Sequence, residues 1–342
     1  MNAKRYIPIA LVMLGALAAS CNKEAPALPE DEICVAVEGT GPATRAATVF
    51  DGAATLIDEA YGGGNFTLNA YLAGTNTVFF ADEWVNYFAD NAARPWQFRV
   101  GNTFVRHIWP PNNGRLDFFA YMPYKQGQPS YIPSISYDSA DGPSFTCDLP
   151  VTKAYQDTTK EFIYAYSTGI NKNTNSQKVT LQFHHPFAAI YFKLMQGHRN
   201  MTVHNISITN IHSQGTFTYA NTPQWTPDDD RAGNDFVIDV EKIIPGEINF
   251  GVIIDGPFIM MPQDLAVTGS GCSEMVVEYS WLTHVPPFDH EEMRMPIPDV
   301  DWEPGKVYIY NMNLGDNKEE IMFKVSVEAW DIMDYHIPID VE

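Results

Sequence analysis

From Val49 onward the apolar residues of this chain recur with a period of two. Phe66, Leu68, Ala70 and Leu72 alternate with Thr67, Asn69 and Tyr71 behind a Gly62-Gly63-Gly64 turn, which predicts a half-buried strand. Trp84 to Phe88 and Trp96 to Val105 are aromatic-rich strand candidates, and Leu116 to Met122 is a compact apolar strand stopped by Pro123. Gly127 to Pro150, with prolines at 129, 133, 143 and 150, reads as loop, and Phe162 to Ser167 as a further strand. The polar run Gly169 to Lys178 suits a domain boundary. Beyond it Val179 to Leu194, Thr202 to Ile211, Gly215 to Tyr219, Ile248 to Ile254, Phe258 to Met261 and Met275 to Leu282 continue the pattern. It is clearest at the end. Tyr308, Tyr310, Met312 and Leu314 share one face of Val307 to Leu314, and Ile321, Phe323, Val325, Val327 and Ala329 share one face of the next run. Many short strands between Gly, Pro and Asn turns, with no sustained helical period, predict an all-β protein of antiparallel sandwiches, divided into 46–175 and 176–342.

Composition narrows the function. Forty-two acidic against 21 basic residues give a formal charge of −21, which repels phosphate backbones and argues against nucleic acid as a partner. The cysteines, at 21, 34, 147 and 272, form neither a disulfide framework nor a paired-cysteine metal motif, and Cys147 and Cys272 read as core filler.

The chain begins with an export signal. Lys4 and Arg5 precede an apolar run from Ile7 to Ala19, too short to span roughly 30 Å of hydrocarbon, that ends Leu17-Ala18-Ala19-Ser20-Cys21. This resembles a bacterial lipobox, with Ala18 where Leu is usual, and implies cleavage of 1–20 and lipidation at Cys21. Residues 21–45 follow as a Pro-, Ala- and Glu-rich segment that reads as an extended or disordered tether. Arg45, the next basic residue after Lys23, is flanked by small residues; on its own it is either a trypsin-like cleavage site or a solvated arginine.

Motifs of chemistry are weak. Adjacent His184 and His185 fall on opposite faces of a strand and cannot clasp one metal; His185 or His184 packed near Pro186 is the better reading. Asp228, Asp229, Asp230 and Asp235 lack the EF-hand spacing and read as a solvated loop. His290-Glu291-Glu292 lacks the second histidine of a zincin, and Gly269-Ser270-Gly271 is not a nucleophile elbow. No catalytic residue, metal or cofactor is expected. The tryptophans read as core and strand-end residues rather than as a sugar-stacking row.

Several segments together resemble the Bacteroidales fimbrillins, in particular the Mfa-like lipoprotein pilins. They are Leu181-Gln-Phe-His-His-Pro-Phe-Ala-Ala-Ile190, Gly215-Thr-Phe-Thr-Tyr219 with Trp225, Met261-Pro262-Gln263, Trp302-Glu-Pro-Gly-Lys-Val-Tyr308, and the closing run from Ile321 to Trp330. Pro186-Phe187 stands where the family usually has Leu. The resemblance implies two transthyretin-like β-sandwich domains and no enzyme activity. It further implies a precursor carried to the outer membrane by its lipid, cut between Arg45 and Ala46 by a trypsin-like protease, and polymerised with other fimbrial subunits by donor-strand exchange into adhesive surface fimbriae whose ligand, on host or bacterium, is unknown. Asp331 to Glu342, with Ile337, Ile339 and Val341 spaced by two, is then either the donor or a last strand of its own domain. Asp138-Ser139-Ala140 and Asp157-Thr158-Thr159 resemble O-glycosylation sites of such bacteria, at Ser139 and Thr158. Two other readings stay open: a monomeric surface glycan-binding lipoprotein, and a secreted hydrolase.

Overall fold

The computed structural model describes residues 31–38, 64–88, 91, 94–151, 161–173, 178–197, 201–220, 222–228, 230–244, 252–265, 271–281, 290–297, 301–314 and 322–329. They form twenty strands in four sheets and no α-helix, so the chain is all-β as its alternation predicts.

The largest sheet holds β1 (Cys34–Glu38), β2 (Asn65–Leu72), β3 (Val78–Tyr87), β4 (Trp96–Val100), β5 (Thr103–Phe104), β6 (Leu116–Met122), β9 (Ile163–Ile170) and β10 (Lys178–Gln182). Its order is β10-β1-β4-β3-β2-β6-β9, with β5 on β4. Its two ends meet. Tyr164 and His184 exchange backbone hydrogen bonds of 3.1 and 2.7 Å, and Ser167 Oγ donates to the Thr180 carbonyl at 3.0 Å. The sheet therefore wraps round one core, built from Ile33, Val35, Phe66, Leu68, Val85, Trp96, Phe98, Phe118, Ile163, Val179 and Leu181.

A small sheet, β14-β13-β8-β7, is made of β7 (Ser134–Asp138), β8 (Gly142–Asp148), β13 (Gln214–Thr218) and β14 (Gln224–Pro227). It covers a second core in which Phe119 and Tyr121, from the outer face of β6, meet Phe145, Phe162, Phe187 and Phe217. This explains why all seven residues of β6 are buried: both faces of the strand are covered. The β7–β8 hairpin lies in the stretch read from its prolines as loop. Ile135 and Tyr137 pair with Phe145 and Pro143 across it, and Gly142 at φ 77° makes the turn. Pro133 and Pro150 only bracket the hairpin, while β8 tolerates Pro143 near its start.

The remaining sheets face each other as a sandwich. One runs β16-β11-β19-β20, from β11 (Ala188–Gly197), β16 (Val252–Met260), β19 (Lys306–Leu314) and β20 (Met322–Ala329). The other runs β15-β12-β17-β18, from β12 (Met201–Ile208), β15 (Phe236–Ile244), β17 (Glu274–Trp281) and β18 (His290–Pro296). Ile190, Phe192, Tyr308, Tyr310 and Met312 meet Val203, Ile206, Ile208, Val277 and Tyr279 between them. Strands from both sides of residue 175 share sheets: β10 lies in the first, and β13 pairs with β8.

Candidate subunit interface

Residues 31–38 lie in the segment read as a tether, yet Cys34–Glu38 form the strand β1. Ile33, Val35 and Val37 alternate, and all three pack into the first core. The stretch is only a few residues long and uses small side chains, so the surrounding Pro and Glu mask its period. Ile33 is 2% exposed and Val35 5%. Cys34 is buried too, and burial pushes its thiol pKa up, an effect that Arg94 opposes.

The strand is held unequally on its two sides. Along β10 it runs parallel in five consecutive pairs, from Cys34 with Lys178 to Glu38 with Gln182. Along β4 only Val35 with Trp96 is in register. Between β1 and β4 a cleft of about 540 Å³ opens, lined by Val35, Val37, Arg94, Trp96, Phe104 and Lys178 among others. Phe104 and Ile108, each more than half exposed, stand near this end of the sheet.

Ahead of β1 the chain is pinned by charge and backbone. The Ile33 N–H donates to the His107 carbonyl and the Trp109 N–H to the Asp31 carbonyl, both at 2.8 Å. Arg94 Nη1 donates to Glu32 Oε1 at 2.7 Å, Arg106 Nε lies 3.8 Å from the same oxygen, and Lys172 Nζ is 3.2 Å from Asp31 Oδ1. Arg94 is itself fixed by its own loop: its N–H reaches the Asn91 side chain at 3.1 Å, and Gln97 Nε2 donates to its carbonyl at 3.0 Å. These anchors were not visible in the sequence, because the acids and the cations that meet them lie far apart along the chain.

The other residues singled out above are placed as follows. Cys21, Arg45, Ala46, Thr158, Ile337, Ile339 and Val341 lie outside the described residues. Ser139 sits in the β7–β8 turn, its N–H donating to Asn76 Oδ1 at 2.6 Å. Neighbouring Asp138 has its carboxyl held below the usual range by hydrogen bonds from the Ala140 N–H and the Asn76 side chain. His184 is exposed while His185 is buried against the Glu161 carboxylate, so the pair does face opposite ways. Cys34 and Cys147 are buried and Cys272 half-buried, and the Cys147 thiol donates to the Ser213 carbonyl at 3.9 Å. Among the described residues no His, Cys, Asp and Glu cluster could hold a metal ion. Trp96, Trp109 and Trp302 are buried, Trp84 stacks on Tyr124, and Trp225 donates to the Pro186 carbonyl at 2.7 Å. Their rings are committed to packing.

The motifs quoted above are structural. Trp302 and Gln263 exchange backbone hydrogen bonds of 2.9 and 3.0 Å, and Gln263 Oε1 accepts the His212 N–H at 2.7 Å. Trp302 Nε1 donates to the Tyr310 hydroxyl at 2.9 Å. The Tyr308 hydroxyl donates to the Asp301 carbonyl at 2.6 Å and accepts the Glu303 N–H at 2.7 Å. Gly305, at φ +67°, takes the left-handed turn between them. This is a corner lock for the C-terminal sandwich, and it fixes where the chain enters β19.

Comparison with known proteins bears on the same features. The family model described as fimbrillin-like matches residues 44–330. The match thus begins after β1. A fimbrial protein from Bacteroides vulgatus superposes with a TM-score of 0.65 at 14% identity, over 88% of this chain and 99% of that one. Candidate cell adhesion proteins from Bacteroides ovatus (0.51, 18% identity, 89% and 98% covered) and Bacteroides uniformis (0.50, 15% identity, 80% and 94% covered) share the fold. No curated protein matches the sequence. With the family model matched over most of its length, the chain belongs to the fimbrillin-like family.

Proposed function

We propose that this chain is the precursor of a fimbrial subunit in which β1 is a temporary strand. In this reading it is exported as a lipoprotein anchored at Cys21 in the outer membrane and folds with β1 in place as two transthyretin-like β-sandwich domains. A trypsin-like protease then cuts it between Arg45 and Ala46. The groove left between β10 and β4 takes up a strand from another subunit, with Ile337, Ile339 and Val341 of the tail as donor, and the product is a surface fimbria that serves adhesion rather than catalysis. Ser139 and Thr158 are its proposed sites of sugar attachment.

One observation carries the reading. β1 precedes Arg45 in sequence, yet it fills an interior place in a sheet whose other strands all follow Arg45. A cut at Arg45 would sever the covalent link, leaving β1 and the residues before it held by the ladder to β10, the single pairing with Trp96, core burial, two backbone hydrogen bonds and a few ion pairs. Burying an aliphatic side chain such as Ile33 or Val35 contributes about 1.5–3 kcal/mol, and an unpaired strand edge seeks a partner. An emptied groove would therefore be driven to refill, and a strand with apolar residues at alternate positions is what fits it.

The test uses the bacterium that makes the protein. Arg45→Ala should accumulate full-length precursor and abolish polymers in surface-sheared material viewed by electron microscopy, while wild-type polymers should begin at Ala46 on N-terminal sequencing. Polymers formed by the Arg45→Ala variant with an intact residue 45–46 bond would overturn the reading. Cys21→Ser should separately abolish lipid labelling and membrane retention of the precursor.

A further inference from the structure

The groove that holds β1 has a charged end. Arg94, Arg106, Lys172 and Lys178 gather around the start of the strand, four of only 21 basic residues in a chain with 42 acids. Two of them meet Glu32, one meets Asp31, and Lys178 lies opposite Cys34 in the ladder. Glu83, on β3 beyond β4, faces His107 at 3.5 Å. Counted from Glu32, the segment that leads into and forms β1 thus presents an acid, then apolar side chains at the first, third and fifth following positions, Ile33, Val35 and Val37, with Ala36 half-buried on the other face.

The tail Ile337-Pro338-Ile339-Asp340-Val341-Glu342 carries that pattern only when read backwards. Forwards, the residue ahead of Ile337 is His336, which would set a histidine against two arginines. Backwards, Glu342 comes first and Val341, Ile339 and Ile337 fall at the first, third and fifth positions. Asp340 then falls where Cys34 now faces Lys178, and Pro338 where Ala36 now stands half-exposed, a place that needs no large side chain.

Resting on the reading that the tail of another subunit replaces β1, we propose that it enters in the opposite direction, antiparallel to β10. Glu342 takes the place of Glu32 against Arg94 and Arg106, and Asp340 meets Lys178. The cations at this end set both the direction and the register of the incoming strand. Arg94 keeps its position when β1 leaves, since Asn91 and Gln97 hold its backbone, and a preorganised cation favours an acidic strand over a neutral or basic one.

The experiment mixes two full-length populations, both carrying Cys34→Ser, cleaves them after Arg45, and oxidises the assemblies. One population carries Asp340→Cys, and the other either Lys178→Cys or Thr180→Cys. Reversed entry puts residue 340 beside 178; entry in the direction of β1 puts it beside 180. An adduct with Lys178→Cys and little with Thr180→Cys is expected, and the converse overturns the proposed direction while leaving the donor reading intact. No adduct with either, together with polymers from a chain lacking residues 331–342, removes the donor reading itself. For the charge, a subunit carrying E32R and R94E keeps its internal pair with the signs exchanged. It should accept a wild-type tail about tenfold more slowly and recover with a Glu342→Arg tail; equal rates with both tails would overturn the role of Arg94.

Discussion

Arg94 and Glu32 join the two parts of this molecule that cleavage at Arg45 would separate. At 2.7 Å, with the Glu32 side chain 9% exposed and that of Arg94 22%, theirs is a charge-assisted hydrogen bond away from most solvent. Breaking such a partly buried pair from one side leaves the other charge uncompensated, so Glu32→Ala or Arg94→Ala should lower the stability of the uncleaved chain by about 1–3 kcal/mol. Urea unfolding of the precursor measures this. The same substitutions should also speed loss of the pro-segment after proteolysis, read as the rate at which its peptide leaves the cleaved protein.

A second expectation concerns the sheet that bridges the two halves. A Cβ on Gly215 would lie 2.7 Å from Met261 Sδ and 2.8 Å from the Thr226 carbonyl oxygen. The sulfur can shift but the backbone oxygen cannot do so without disturbing β14. Gly215→Ala should therefore cost about 1–3 kcal/mol, seen as a lower thermal midpoint with β structure retained.

The tyrosines predict an alkaline limit. Burial raises the hydroxyl pKa of Tyr308, Tyr121 and Tyr279 to about 12 from an ordinary value of 10.0. The folded state thus holds these protons more tightly than the unfolded chain. Their contribution is fully present below pH 10 and is lost as pH rises toward 12, so stability should fall steeply across that window. Tyr308→Phe should destabilise the protein by about 1–2 kcal/mol at neutral pH, because the Glu303 N–H and Asp301 carbonyl lose their partner. It should also make the alkaline fall shallower. An unfolding series between pH 8 and pH 12 checks both signs.

Much of this architecture was legible because the strands that form cores carry unbroken alternation. Tyr308, Tyr310 and Met312 share the buried face that their spacing predicts, and Leu116 to Met122 is apolar but for Asp117 because two cores claim its two faces, the Asp117 carboxylate accepting from the Gly74 and Gly169 N–H groups and the Tyr137 hydroxyl. The β7–β8 hairpin was hidden by prolines that turn out to flank it or to sit near a strand start. β1 was hidden for a different reason. Its period is correct but brief, and what makes it a strand is the open place between Lys178–Gln182 and Trp96. A segment whose structure depends on a remote acceptor carries little local signal. The ion pairs of Asp31 and Glu32 with Lys172, Arg94 and Arg106 are likewise products of the closed sheet.

The central claim is that β1 must leave its groove before subunits can join, and a reversible lock tests it most directly. Ala36 and Thr180 are partners in the parallel ladder, both half-buried, so Ala36→Cys with Thr180→Cys can bridge β1 to β10. Cleaved after Arg45 under oxidising conditions, this variant should remain monomeric, and on reduction it should form polymers at the wild-type rate. Polymers that grow equally well with the bridge intact would contradict the account.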